Sequence, residues 1–486
     1  MAQFDFIGGS STARSKNFDA QESLNLYAEI GSGNSKSPAM LVGTPGMAGW
    51  QTLAASLNTG VRGLYRFNDQ IAIAVMIDYV WIVYPDGGAP ALLLGPIASA
   101  TTPVSMADNG SLVMMVTGSA GYFIDPVAAT ITQITDADFV GGDKVGFLAG
   151  RFIWNKPGTG QFQWTELYGT NIDSLSFSTA EASPDVIVSQ IVGFGELWEF
   201  GVNSTEVFQP SGDADTPFVK VQGAAMEIGC AAKNSVAKID SSFLWLGRSD
   251  EGSGVIWRSI NYQPQRISTH AIEFAIAGYS RIDDAEAFTY QQEGHSFYVL
   301  SFPTANVTWC YDVSTGLWHQ RGWRNPTSGL LERARPNCQM QFNGETVVGD
   351  RNSNTLCYLQ LDTYLDVLDT IVRRRAAKHI SNDLRRVFYN SFQLDFESGV
   401  GIPEASGGST PVVGSDPQAM LDWSDDGGHT WSNEHWASIG KIGQYRRRVK
   451  WRRLGTSRDR IFRVTISDPV KVVIVGASLE AVARSA

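Results

Sequence analysis

Between residues 60 and 360 one phrase recurs seven times: an apolar lead-in, a tight turn, an apolar strand, a second turn and a second apolar strand. Its turns are marked by Asn68, Asn109, Gly150, Gly195, Asp240, Gly294 and Asn343, at spacings of 41, 41, 45, 45, 54 and 49 residues. A unit of this length, made of strands with almost no helical period, buries its faces only against copies of itself. Stacked in a ring, such units are the blades of a β-propeller. Runs such as Phe243-Leu244-Trp245-Leu246 are apolar on both faces, as strands packed between two neighbours must be. Asn-Gly at residues 109–110 and 343–344 supplies the positive φ angles of a two-residue hairpin. The expectation is an all-β chain with a propeller of about seven blades, or six if one unit is a fragment completed by the N-terminal arm.

At 486 residues the chain exceeds one ordinary core, and the phrasing changes after residue 360. Residues 1–60 read as a partly extended arm rich in Gly, Ser and Asn, ordered by packing on something else. Residues 61–370 read as the propeller, and 371–486 as a small basic β-sandwich-like domain. Strand-like runs in that last part are Val387–Phe396, Met420–Trp423, Tyr445–Trp451, Ile461–Ile466 and Val470–Val475. Asp362–His379 fits a strand or a short helix equally, and the Gly/Pro-rich Gly399–Gln418 reads as a long mobile loop.

Charge divides along the same line. The chain carries a net −11, yet residues 371–486 hold 18 Lys and Arg against 12 Asp and Glu. That is +6, which leaves −17 for residues 1–370. Two parts of opposite sign point to different partners, or to one part meeting the other in a second copy. No basic-then-apolar leader opens the chain, and its most apolar run, Ile71–Tyr84, is too short to span a bilayer. The reading is of a protein made in a cytoplasm, soluble there and without a membrane anchor.

Little in the chain points to chemistry. Four cysteines (Cys230, Cys310, Cys338, Cys357) show no CxxC and no zinc-finger spacing, and read as buried free thiols. Six scattered histidines form no HxH or HExxH and read as loop or interface residues. Gly31–Ser37 has Ser35 where a P-loop requires Gly, and Gly193-Phe194-Gly195 lacks the third glycine of a dinucleotide site. No catalytic residue, metal or cofactor is expected. Ser424-Asp425-Asp426-Gly427-Gly428-His429-Thr430-Trp431 matches the Asp-box pattern. In it Ser424, Asp426, Gly428, Thr430 and Trp431 make a self-bonded hairpin turn. The box also occurs in sialidases, but one box without an arginine triad does not make an enzyme.

The basic clusters are the main candidate interaction surface. One is Arg373, Arg374 and Arg375; the other includes Arg446, Arg448, Lys450, Arg452 and Arg453, interleaved with Tyr445 and Trp451. On a strand, Arg446, Arg448 and Lys450 would align on one face. Such a stripe suits a phosphate backbone or an acidic protein surface, and the acidic balance of the whole chain favours protein.

Several strings are too long and ungeneric for chance. They include Phe6-Ile7-Gly8-Gly9-Ser10, Asn25-Leu26-Tyr27-Ala28-Glu29, Asn155-Lys156-Pro157-Gly158-Thr159-Gly160-Gln161-Phe162 and Gln263 through Glu273. On these the chain resembles the packaged-DNA stabilisation proteins (tail accessory factors, or tail hubs) of short-tailed phages, departing where Ala28 replaces the usual Pro. The resemblance implies a non-enzymatic virion tail protein, assembled as a hexameric ring on the portal–adaptor complex. Such a ring retains packaged DNA and carries tailspikes or tail fibres and a tail needle. The rival reading is a propeller that binds or cleaves host-surface glycan, with carboxylates converging on its central mouth.

Overall fold

The computed structural model describes residues 2–53, 60–92, 97–98, 100–181, 185–383, 385–403 and 412–483. The middle of the Gly399–Gln418 stretch, residues 404–411, therefore lies outside the described residues. Among the described residues the strands of the first 370 positions arrange as seven units around an axis. Six use consecutive strands: blade 1 (61–92), blade 2 (105–133), blade 3 (145–179), blade 4 (187–220), blade 5 (229–266) and blade 6 (286–324). Blade 7 takes three strands from residues 336–360 and its outer strand, Gly46–Thr52, from the N-terminal segment. Asn337 Nδ2, at the start of blade 7, donates to the Val61 carbonyl of blade 1 at 3.2 Å and helps close the ring.

The phrase marks fall where the inner strand of a unit turns into the next. Asn343 (φ 53°) and Gly344 (φ 76°) form the double-positive turn expected of Asn-Gly. At the other Asn-Gly only Gly110 is positive (φ 85°). There Asn109 instead caps a longer turn, its Oδ1 accepting from Ser111 N (3.0 Å) and Leu112 N (2.8 Å). Cores lie between blades: Ile73, Val75 and Ile82 of blade 1 meet Val113, Met115 and Ile124 of blade 2. Phe162 of blade 3 meets Phe208 of blade 4 edge-on at 5.0 Å, and Trp198 meets Phe243 of blade 5 at 5.0 Å. Truncating any one of these buried rings costs about 3–5 kcal/mol. One α-helix, His270–Ala277, occurs among the described residues, packing Ile272 and Ile276 beside blades 5 and 6.

The C-terminal part is a sandwich built jointly with the N-terminal segment. One sheet runs Leu26–Ile30, Ala39–Gly43, Val473–Ala483, Val387–Phe396, Val449–Arg452, with Ala2–Phe4 on Val473–Ala483. The other runs Ala20–Leu24, Arg373–Ala376, Asp459–Ile466, Gln418–Ser424, His435–Ser438. Ala20–Leu24 also touches blade 6 in parallel, Leu24 beside Gln320, so sandwich and propeller share a continuous sheet. Phe6, Leu26, Leu41, Phe392, Leu394, Phe462 and Val464 fill the sandwich core. Asn25, held at φ 52°, is the knot. Its Nδ2 donates to the Gly322 (2.7 Å) and Val372 (2.8 Å) carbonyls and its Oδ1 accepts from Gly322 N (3.0 Å). The undecided segment 362–379 resolves into short strands.

Candidate interaction surface

Burial sorts the basic residues of the C-terminal part into two sets. Arg373 and Arg375 alternate with the half-buried Arg374 on Arg373–Ala376, an interior strand of the second sheet, and are 1% and 0% exposed. They are therefore interior groups of the described chain. Arg375 donates from Nε to Phe6 O (2.8 Å), from Nη1 to Gly9 O (2.7 Å) and Glu22 O (3.3 Å), and from Nη2 to Gln21 Oε1 (2.7 Å). Burial pulls its pKa down to about 10, with nearby Asp5, Asp19 and Glu22 opposing. Arg374 pairs with Glu22 at 3.4 Å. Arg460 is likewise internal: it clamps Asp425 (2.6 and 2.7 Å) and stacks over Tyr389 and Trp423.

The second set faces out. Residues 441–448 form an exposed loop, and the strand begins only at Val449. Arg446 and Arg448 thus leave the expected strand stripe. Positive φ at Gly440 and Gly443 breaks the chain there, and the apolar alternation that would anchor a strand starts with Val449 and Trp451. Lys450 and Arg452 do share the outward face of Val449–Arg452, and Arg453 follows, exposed, at φ 60°. Arg446, Arg448, Lys450, Arg452 and Arg453 have no ion-pair partner among the described residues. The loop also exposes Ile442 and Tyr445, and the adjoining edge strand His435–Ser438 exposes Trp436 (63%). Arg447 Nε (3.4 Å to Ser438 O) ties the loop to this edge strand, and Trp451 Nε1 (2.7 Å to His435 O) ties Val449–Arg452 to it. Aromatic and arginine side chains side by side, uncompensated and exposed, form the composition of a protein-binding patch. Sequence reading missed Trp436, whose signal is an aromatic on a short strand flanked by Glu434 and His435.

The Asp box closes on itself. Ser424 Oγ donates to Asp426 Oδ1 (2.7 Å) and accepts from Gly428 N (2.7 Å), while Asp426 accepts from His429 N (2.9 Å) and from Thr430 N and Oγ1 (2.9 and 2.6 Å). These donors hold the Asp426 carboxyl well below the usual range. Trp431 lies 3.6 Å from the guanidinium of Arg463, itself bound to Asp422. The side-chain oxygens of Ser424, Asp426 and Thr430 are thus spent within the hairpin. Asp426→Ala is expected to loosen residues 424–431, seen as faster amide exchange there, and to leave exchange in the propeller unchanged.

Several of the other candidate groups are buried. His295 Nδ1 meets Asp312 at 2.8 Å and His319 accepts from Arg321, both inside blade 6 and not on loops as expected. The four cysteines are free; burial pushes Cys230 up to about 11 and the others to about 12. Among the described residues no cluster of three or more His, Cys, Asp or Glu could hold a metal. No helix there is long and apolar enough to cross a membrane.

Among solved structures, the WD40 β-propeller domain of Doa1 is similar to this chain at 11% identity, covering 65% of this chain and 97% of its own, with a TM-score of 0.40. U3-55K is similar at 10% identity, covering 65% and 99%, with a TM-score of 0.41. No curated protein matches in sequence. Two family descriptions do match: "Bacteriophage P22 Gp10, beta-propeller" over residues 2–364 and "Bacteriophage P22 Gp10, beta-sandwich" over residues 373–482. With both parts accounted for in their order along the chain, this protein belongs to the P22 Gp10 family of structural phage tail proteins.

Proposed function

We propose that the protein is a non-enzymatic tail-hub subunit of the virion, assembling with further copies of itself into a ring below the portal–adaptor proteins. In that place the ring retains packaged DNA and anchors the tail needle and the tailspikes or fibres. Synthesis in the host cytoplasm precedes assembly. The observation that carries the reading is the outward patch of Trp436, Ile442, Tyr445 and Arg446–Arg448 on a sandwich that shares a sheet with the propeller. Its chemistry suits an acidic protein surface, and the propeller part of the same chain is strongly acidic. A cleft of about 850 Å³ lined by Asn203, Glu227, Asp250 and Glu251 offers such a surface on blades 4 and 5 of a neighbouring copy.

Reversing charge at Arg446, Arg448 and Lys450 to Glu is expected to weaken self-assembly about 10–100-fold. Sedimentation of the full chain across a salt series is the measurement. Wild-type assembly should fall with salt, whereas the variant should be weak at low salt and nearly salt-independent. Rings of unchanged affinity in the variant would remove this patch from the interface.

A further inference from the structure

Residues on and beside the inner strands of blades 1 to 5 line an open recess of about 430 Å³, a volume in the range of small-molecule sites. Tyr65, Asp108, Lys144, Phe147 and Gln190 line it. Gln190 is 4% exposed; its Nε2 donates to the Ile153 carbonyl at 2.8 Å, while its Oε1 has no partner. That oxygen has almost no accessible surface, so it stays an internal orphan beside the recess, out of a ligand's reach. Lys144 brings an ammonium with no carboxylate at ion-pairing distance among the described residues. The neighbouring charges are already engaged with one another: Lys233 with Asp143 at 2.6 Å, and Arg333 with Glu286 at 3.7 Å. Burial pushes Lys144 down to about 8, Lys233 adding to the effect and Cys230, Asp143 and Glu286 opposing it.

The groups are spaced along the recess. Ser105 Oγ accepts from Val145 N (3.1 Å), which puts Lys144 level with the start of Ser105–Asp108, while Asp108 stands at its end and binds the Tyr65 hydroxyl. A strand of this length spans about 10 Å, the reach of two pyranose rings. The Asp108 carboxylate accepts from Gly110 N (2.8 Å) and Tyr65 and keeps further lone pairs for hydroxyl donors. The Asp108 acceptor at one end suits hydroxyl groups, the ammonium at the other suits an anion, and Tyr65 and Phe147 stand in the lining between the strands. We infer that this recess binds an acidic sugar of about two residues, its carboxylate on Lys144 and its hydroxyls on Asp108.

The test is calorimetric titration of the full chain at pH 7 with digalacturonic acid, lactose and glucose 6-phosphate. The acidic disaccharide should bind at least tenfold tighter than lactose. Lys144→Met and the more conservative Lys144→Gln should remove that preference while the melting temperature holds. Affinity should also fall about tenfold from pH 7 to pH 9, as the Lys144 ammonium is lost. The inference is overturned by equal affinity for lactose, by no binding at millimolar concentration, or by an acid preference that survives both Lys144 variants. Tighter binding of glucose 6-phosphate than of the uronic disaccharide would overturn the carboxylate assignment. None of these results bears on ring assembly, which is read separately.

Discussion

A chain lacking residues 1–53 is expected to yield no folded protein, rather than a propeller with a missing arm. The segment supplies the outer strand of blade 7, Gly46–Thr52, paired from Gln360 back to Thr355. It also supplies Ala2–Phe4, Leu26–Ile30 and Ala39–Gly43 to one sandwich sheet and Ala20–Leu24 to the other. Its side chains Phe6, Leu24, Leu26, Leu41 and Met47 are all buried. At about 1.5–3 kcal/mol for each buried apolar side chain, their loss alone is comparable with the about 5–15 kcal/mol by which a protein is stable. The truncation further exposes unpaired strand edges, which invite aggregation. Near-ultraviolet circular dichroism and sedimentation of the truncated chain decide the matter. A soluble chain with native near-ultraviolet signal would show that propeller and sandwich stand without the segment.

That dependence explains how much of the fold the sequence disclosed. The blades are legible because each is local: inner strand, turn and second strand lie within about 20 residues, a spacing at which apolar runs and Asn or Gly marks speak directly. Phe297–Leu300 after Gly294 and Val347–Val348 after Asn343-Gly344 are cases where the phrase and the strand coincide. Pairings across the chain leave no such mark. Gln3 opposite Ser478 and Cys357 opposite Gly49 are fixed by register between distant segments, and a strand's own pattern does not name its partner. The basic residues mislead for a related reason. Three consecutive arginines look like a solvated face, yet Arg375 finds its acceptors among carbonyls of residues 6–22, more than 350 positions away. Residues 446–448, with the same letters, find only the nearby Ser438 carbonyl, bound by Arg447, and stay outside. Glycines at 440 and 443 were the available clue that the second run is a loop.

Replacing Arg375 by Met is expected to destabilise the protein by about 3–5 kcal/mol, the cost of breaking a buried charged network from one side. The guanidinium serves four acceptors, of which three are backbone carbonyls of the N-terminal segment, and all lose their donor together. Met fills much of the volume, so the loss reports hydrogen bonds more than a cavity. Arg375→Lys should recover little, because one ammonium cannot reach Phe6, Gly9 and Gln21 in the fork geometry that guanidinium offers. Arg448→Met, on the exposed loop, is the control and should shift stability by no more than about 0.5 kcal/mol. Denaturant midpoints of the three variants, at unchanged slope, provide the comparison. If Arg375→Met unfolds like wild type but assembles poorly, the arginine acts at an interface and the clamp assigned to it is wrong. If Arg448→Met is the destabilised variant, the division of the basic residues by burial fails with it.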